Sequence, residues 1–269
     1  MGTAQQDESG VYARSSPANR SLERGMEILR AFRPGLSVLT NGELAERTGL
    51  ARSTVSRLTQ TLVKGGFLRY DFAARAYCLG APLLSLAYAM QQGSAVLKAA
   101  LPLMREIAEG QRINVGLAVA DGSEMVYLES VRRHRGSAFR HIAGGSRIPM
   151  ELTSLGRAHL ATLPKREFDA MLAALRGNGR PLSPALAKEI RMAVAAVQTS
   201  GYCVAAWQPG VIAIAAPLRL PREPGYALNI SIAGRQMTGR EIDTELAPLL
   251  LKLVAQIQAQ VQANPQAGD

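Results

Sequence analysis

The segment from Ala51 to Gly65 holds Arg52, Arg57 and Lys64 and no acidic residue. Ser53, Thr54, Ser56, Thr59 and Gln60 lie between them. That inventory suits a DNA groove. Arginine can bond to a guanine edge, glutamine can pair with adenine, and small hydroxyl side chains approach bases or phosphates closely. To act together, these groups must share one face of a rigid element. Val55, Leu58 and Leu62 form the apolar stripe of a helix running from about Arg52 to Lys64, with the polar groups on its other side. A solvated face on a small helical bundle is the alternative reading.

The flanking elements weigh against the bundle. Ser21 is placed to cap a first helix whose Leu22, Met26, Leu29 and Phe32 recur on one face, and Arg33-Pro34-Gly35 ends it. Thr40-Asn41-Gly42-Glu43 is a capping-box pattern that opens a second helix, from Asn41 to Thr48. Gly49 follows where the chain must turn through a left-handed conformation. After the third helix, Gly65-Gly66 stops the chain, and Phe67–Tyr70 and Ala76–Leu79 read as a hairpin around Asp71 to Arg75. Helix, helix, glycine turn, helix and hairpin make a winged helix-turn-helix. Its third helix enters a major groove, and its wing near Arg75 follows the backbone.

Charge supports this placement. The chain has 269 residues, 31 Lys+Arg against 21 Asp+Glu, and a formal charge of +10. Residues 20–80 carry ten basic and five acidic side chains, more than twice the net density of the remainder. With 47% apolar residues there is material for ordinary cores. The longest apolar run, Val211 to Leu218, falls far short of the roughly 20 residues that span a bilayer. No secretory signal opens the chain, so a cytoplasmic protein is expected. Two cysteines, Cys78 and Cys203, make neither a disulfide scaffold nor a four-thiolate zinc site.

Residues 1–19 and 264–269 read as tails, 20–80 as the DNA-binding domain, and 81–98 as an apolar linker helix opening at Pro82. With Leu83, Leu86, Ala87 and Met90 on one stripe, that helix has a dimer partner or its own chain to pack against. Residues 99–263 read as one α+β domain. Its strands are expected at Asn114–Ala120, Glu124–Val131, Gly210–Leu218 and Gly225–Ala233, the first two joined by Asp121-Gly122. Helices are expected at Leu101–Glu109, Thr153–Leu163, Lys165–Leu175, Ser183–Ser200 and Thr238–Ala263.

Catalytic and metal chemistry find little support. His134, His141 and His159 lack ligand spacing with any Cys, Asp or Glu, so neither a metal nor a cofactor is expected. Cys203 has no activating base nearby in sequence, and Ser154-Leu-Gly156 lacks the leading glycine of a nucleophile elbow. The methionines read as core filler. Arg132-Arg-His-Arg135 reads as a solvated loop, with an anionic ligand or another subunit as its alternative partner. An enzyme acting on a small acid and an architectural DNA-binding protein are the other classes compatible with the pattern, and the first lacks any base–nucleophile pair.

Ser21-Leu-Glu-Arg-Gly-Met-Glu-Ile-Leu29, Glu43-Leu-Ala-Glu-Arg-Thr-Gly-Leu50 and Arg52-Ser-Thr-Val-Ser-Arg-Leu58 resemble the IclR family of bacterial transcriptional regulators. The resemblance continues in Tyr77-Cys-Leu-Gly80, Gly145-Ser-Arg-Ile-Pro149, Thr153-Ser-Leu-Gly-Arg-Ala158, Ser200-Gly-Tyr202 and Gly210 to Pro217, over about residues 20–260. It implies a winged helix-turn-helix, a linker helix and a C-terminal GAF-like antiparallel-sheet domain that senses a small organic acid. It further implies a homodimer or homotetramer on double-stranded operator DNA, acting as repressor or activator, with no catalysis and no membrane.

Arg52, Ser53, Thr54, Ser56, Arg57 and Gln60, with Arg75 on the wing, become the expected DNA contacts. Thr153, Ser154, Leu155, Cys203, Trp207, Ala213, Asn229 and Ser231 become the expected effector residues. Ala213 stands where the family carries cysteine, and Cys203 to Gly210 brings in the chain's single Trp where acids are frequent. Both departures point to a less polar cavity and a larger aromatic or cyclic acid, with Trp207 as plain core packing the alternative. A ligand would act on DNA through the Pro82–Met90 helix, provided that it favours one spacing of the two DNA modules.

Overall fold

The structure is a computed structural model that describes residues 19–111, 113–132, 142–177, 180–221, 223 and 225–263. The two tails, and the run Arg133 to His141 with its two histidines, lie outside the described residues. The chain divides into two compact units that meet at Gly93 and Ser94.

The first unit starts with α1 (Arg20–Ala31), a two-residue strand β1 (Val38–Leu39), α2 (Asn41–Thr48) and α3 (Arg52–Lys64). β2 (Leu68–Asp71), β3 (Ala76–Leu79) and α4 (Pro82–Gly93) complete it. The cap of α1 is Asn19, one residue ahead of the helix, whose carboxamide oxygen accepts from the N–H groups of Ser21 and Leu22 at 3.1 and 3.2 Å. Ser21, the expected cap, is already helical. Of the expected stripe, Phe32 is buried and Leu29 partly so, but the rest of the buried face is rotated. Gly25, Ile28 and Ala31 face inward, while Leu22 and Met26 are exposed. Ile28, Leu39, Leu44, Val55 and Leu68 form the core, with Leu58 and Leu62 partly buried against it.

Helix α2 opens with the capping box, Thr40 and Glu43 each satisfying the other's backbone N–H. It ends at Gly49 with φ 68°, a conformation that favours glycine and swings the chain into α3. β1 adds to the hairpin as a third strand, in the order β1-β3-β2. None of the residues of α4 is buried.

The second unit starts with α5 (Ala95–Gln111), β4 (Asn114–Asp121), β5 (Glu124–Val131), β6 (Arg147–Pro149), α6 (Ser154–Leu160) and α7 (Lys165–Ala174). A small ribbon, β7 (Arg176–Gly177) with β8 (Arg180–Pro181), precedes α8 (Pro184–Ser200). β9 (Cys203–Ala205), β10 (Val211–Leu218) and β11 (Tyr226–Ala233) follow. A last helical stretch runs through α9 (Gly239–Glu241), a π-helical turn (Ile242–Leu246) and α10 (Ala247–Ala263). The 81–98 segment is not one helix. Its Ser94 hydroxyl accepts from Leu97 N–H at 3.2 Å and starts α5 afresh.

Six strands form one antiparallel sheet in the order β6-β5-β4-β11-β10-β9. Side chains alternate between its faces. Leu117, Ile214, Leu228 and Ile230 point toward α5 and α10, packing with Met104, Leu250, Leu253 and Ile257. The opposite face carries smaller groups, and its core with α6 and α8 is built from Met125, Ile148, Leu155, Leu160 and Ile190.

Candidate functional site

Helix α3 presents its expected polar face. Arg52, Ser53, Arg57 and Gln60 are exposed, Thr54 and Ser56 are half-buried, and the first turn contains no acid. Its start is held from α2. The Asn41 amide, oriented to suit its neighbours, donates to Arg52 O and accepts from Ser56 N–H, both at 3.3 Å. Thr59 belongs to the other side, contrary to the sequence reading. It is fully buried, and its hydroxyl donates to Val55 O at 2.9 Å.

The wing is locally fixed. Asp71 Oδ1 accepts from the N–H groups of Ala73 and Ala74 at 3.0 Å each. Arg75 is exposed at φ 48°, a left-handed conformation that costs a non-glycine residue about 1–2 kcal/mol. Tyr70 stands edge-on to both Phe72 and Tyr77, with ring centroids 5.1 Å apart in each pair. Phe72 is 85% exposed at the tip.

In the second unit, a cavity of about 430 Å³ opens on the sheet face that carries the small side chains. The strand register explains its existence. Ala205 pairs with Ala213, Ala213 with Ser231, and Ser231 with Asn114 across four adjacent strands. The next row runs Cys203, Ala215, Asn229, Gly116 and Ser130. Two consecutive rows with almost no bulk leave space that larger side chains would fill.

Of the eight effector residues expected from sequence, Thr153, Ser154, Leu155, Trp207, Ala213, Asn229 and Ser231 line this cavity. Thr153 caps α6, its hydroxyl accepting from Gly156 N–H at 3.2 Å and donating to Pro149 O at 2.8 Å. Cys203 is not on the wall. It is buried beneath the loop, its thiol donating to Ser154 O at 3.4 Å, and burial pushes its pKa up to about 12. Burial thus disfavours the thiolate that nucleophilic or redox chemistry would need.

Sequence reasoning missed Asn114, Gly116, Tyr127 and Ser130 on the β4–β5 side of the cavity, and gave Arg132, which also lines it, a ligand only as the alternative to a solvated loop. Tyr127 is buried, and desolvation pushes its phenol up to about 12. Desolvation likewise lowers the pKa of Arg132, which interacts electrostatically with that phenol. Among the described lining residues Arg132 is the single ionised side chain, and no Asp or Glu is present. Glycine inside a strand is the signal that was available, because it marks a close approach.

No group of three or more His, Cys, Asp or Glu that could hold a metal occurs among the described residues, and no described helix is long and apolar enough to cross a membrane. His159 is buried against Gly225, and burial lowers its pKa.

The IclR helix-turn-helix domain profile matches residues 21–71, and that of the bacterial transcriptional regulator IclR C-terminal domain matches residues 89–259. The HTH-type transcriptional regulator TsaQ1/TsaQ2 of Comamonas testosteroni is 34% identical over 157 residues, spanning 58% of this chain and little more than half, 56%, of that protein. The crystal structure of an IclR family transcriptional regulator from Brucella abortus superposes with a TM-score of 0.79 at 33% identity, covering 90% of this chain and 92% of that one. An IclR homolog from Microbacterium hydrocarbonoxydans complexed with 4-hydroxybenzoate shares the fold, with a TM-score of 0.70 at 22% identity over 90% of this chain and 99% of its own. Profiles, relatives and fold agree with the exposed basic helix and the cavity-bearing sheet: the chain belongs to the IclR family of bacterial transcriptional regulators, a non-enzymatic family with a DNA-binding domain and a C-terminal effector domain.

Proposed function

We propose that the protein regulates transcription in the cytoplasm by binding an operator with two-fold-related half-sites, and that a small organic acid, aromatic in character, controls that binding from the 430 Å³ cavity. The cavity carries this reading. An architectural protein whose C-terminal domain served only to oligomerise would have no need of a hollow lined by convergent polar groups. Its size admits a ring-bearing acid with room to spare, and Trp207 on its wall suits a flat apolar body. The 4-hydroxybenzoate held by the Microbacterium hydrocarbonoxydans homolog is of this class.

On DNA, Arg52, Ser53, Thr54, Ser56, Arg57 and Gln60 face bases and phosphates in the major groove, and the wing with Arg75 follows the backbone. Two such modules need a second copy of the chain. Helix α4 offers a surface for it, with Leu84 76% and Tyr88 62% exposed on an element without a buried residue. The ligand alters operator occupancy by favouring one arrangement of the paired modules.

Genome-wide recovery of fragments bound by the purified protein, at stated salt concentration, tests the DNA half of the proposal. A few intergenic sites sharing a two-fold motif support it, and the adjacent genes then nominate acids to add back. Diffuse, salt-labile recovery without a motif contradicts it.

A further inference from the structure

The hairpin turns through residues 72–75, and Phe72 stands outward at its tip. At 85% exposure it is the most exposed large apolar side chain among the described residues. Its position is nonetheless restrained. Tyr70 meets the ring edge-on at 5.1 Å, and Asp71 Oδ1 fixes the turn by accepting from the N–H groups of Ala73 and Ala74. Asp71 is the one acid in residues 67–79, and that carboxylate is engaged with the backbone. Arg69 and Arg75, the two bases of the hairpin, are exposed. An aromatic ring between two cations suits a polyanion that also has apolar faces to offer.

The strand register places this ring relative to α3. Val38 pairs with Cys78 and Leu39 with Tyr77, so β1 runs toward the turn of the hairpin. The chain enters α2 at that end, where the Asn41 amide bonds to Arg52 O and Ser56 N–H. The tip of the wing and the first turn of α3 therefore lie at the same end of the unit. We infer that, with α3 in the major groove, Phe72 enters the adjacent minor groove and inserts between two base pairs, while Arg69 and Arg75 hold the flanking phosphates. A single ring has the area of one base face, far less than a stable protein interface needs. Insertion unstacks one step and kinks the duplex by about 20–90°. Unstacking costs least at flexible pyrimidine–purine steps, so the wing selects a TA or CA step beside each half-site without a hydrogen bond to a base.

This inference rests on the operator-binding reading above, and its test separates the two. The full-length parent, Phe72→Leu and Phe72→Ala each select duplexes from a pool with forty randomised base pairs at fixed salt. The parent and Phe72→Leu, which keeps an apolar wedge, should enrich a half-site with a pyrimidine–purine step at fixed distance from it. Phe72→Ala should enrich the same half-site, lose the flanking step and bind the parent's duplex about fivefold or more weakly. With 2-aminopurine at that step, the parent should raise its fluorescence and Phe72→Ala should not. The melting temperature of each free variant reports its folding. A folded Phe72→Ala protein that keeps the step preference and the fluorescence rise would overturn the wedge and leave operator binding intact. Dissociation of the free oligomer in Phe72→Ala would place the ring against a second copy and overturn it as well. A parent that enriches no sequence would overturn the wedge and the operator reading together.

Discussion

The carboxamide of Asn229 donates to the hydroxyl of Tyr127 at 3.5 Å across β4, the strand that separates their own. The contact exists because position 116, between them in the sheet, has no side chain. A Cβ there would meet the Tyr127 ring at 2.4 Å and the Asn229 oxygen at 2.5 Å. One glycine in the cavity lining thus sets the orientation of the two side chains beside it.

Gly116→Ala should therefore cost more than a typical strand substitution, which often favours alanine. Overpacking of this kind costs about 1–3 kcal/mol, read as a drop in melting temperature and a lower denaturant midpoint. Acid binding should weaken as Tyr127 is displaced. A variant as stable as the parent, with unchanged ligand affinity, would show that the ring accommodates the methyl group without loss.

Arg57→Ala should lower specific operator affinity by about 1–3 kcal/mol if the side chain reads a base. The loss should be concentrated at one position of each half-site, measured by binding to a set of single-base operator variants. A uniform loss across all variants with a shallower salt slope would reassign Arg57 to a phosphate.

Thr59→Val separates the two sides of α3. The Thr59 hydroxyl is spent on Val55 O inside the unit, so this variant should leave base preference unchanged and shift stability by about 1 kcal/mol. Gln60→Ala, one position on and exposed, should alter base preference and leave stability nearly unchanged. Chemical denaturation and operator-variant binding, run on both proteins, check the pair.

The contrast between Thr59 and Gln60 also marks how far the sequence could be read. Capping chemistry, turn glycines and a short apolar stripe are local, so α2, α3 and the hairpin were legible from Thr40, Gly49, the Val55, Leu58 and Leu62 spacing, and Gly65-Gly66. Leu22 and Met26 misled because α1 carries apolar residues around more than one face, and its partners decide which face is buried. β1 is two residues long and exists through its pairing with Cys78 and Tyr77, a contact no local pattern announces. In the second unit, Thr153, Asn229 and Ser231 were found through family resemblance. Tyr127 was missed, and Arg132 read first as a solvated loop, because their place in the cavity follows from the register of β4 against β5, which shifts between Leu117 and Ala118.

Helix α4 gives a prediction about assembly. Leu84 and Tyr88 are exposed on an element that buries none of its residues. If a second copy covers them, burying a leucine contributes about 1.5–3 kcal/mol, and a carboxylate in its place is repelled from the interface. Leu84→Glu should therefore raise the dimer dissociation constant at least tenfold in sedimentation velocity and weaken operator binding in parallel. An unchanged oligomer would remove α4 from the interface.

The two cysteines provide a chemical check on the cavity floor. Burial opposes the charged thiolate, so the Cys203 pKa rises to about 12 and the group stays a thiol throughout the working range of the protein. Its Sγ is also engaged with Ser154 O. Cys78, in β3, is partly exposed. Titration of the native protein with a disulfide reagent at pH 8 should release about one equivalent per chain at a measurable rate, and a second only after denaturation. Because Cys203 lies beneath the Thr153–Leu155 wall, a bound acid should slow its labelling further and leave that of Cys78 unchanged. Rapid native reaction of two thiols would mean that this loop opens readily, and the cavity would then be a transient feature of the domain rather than a preformed site.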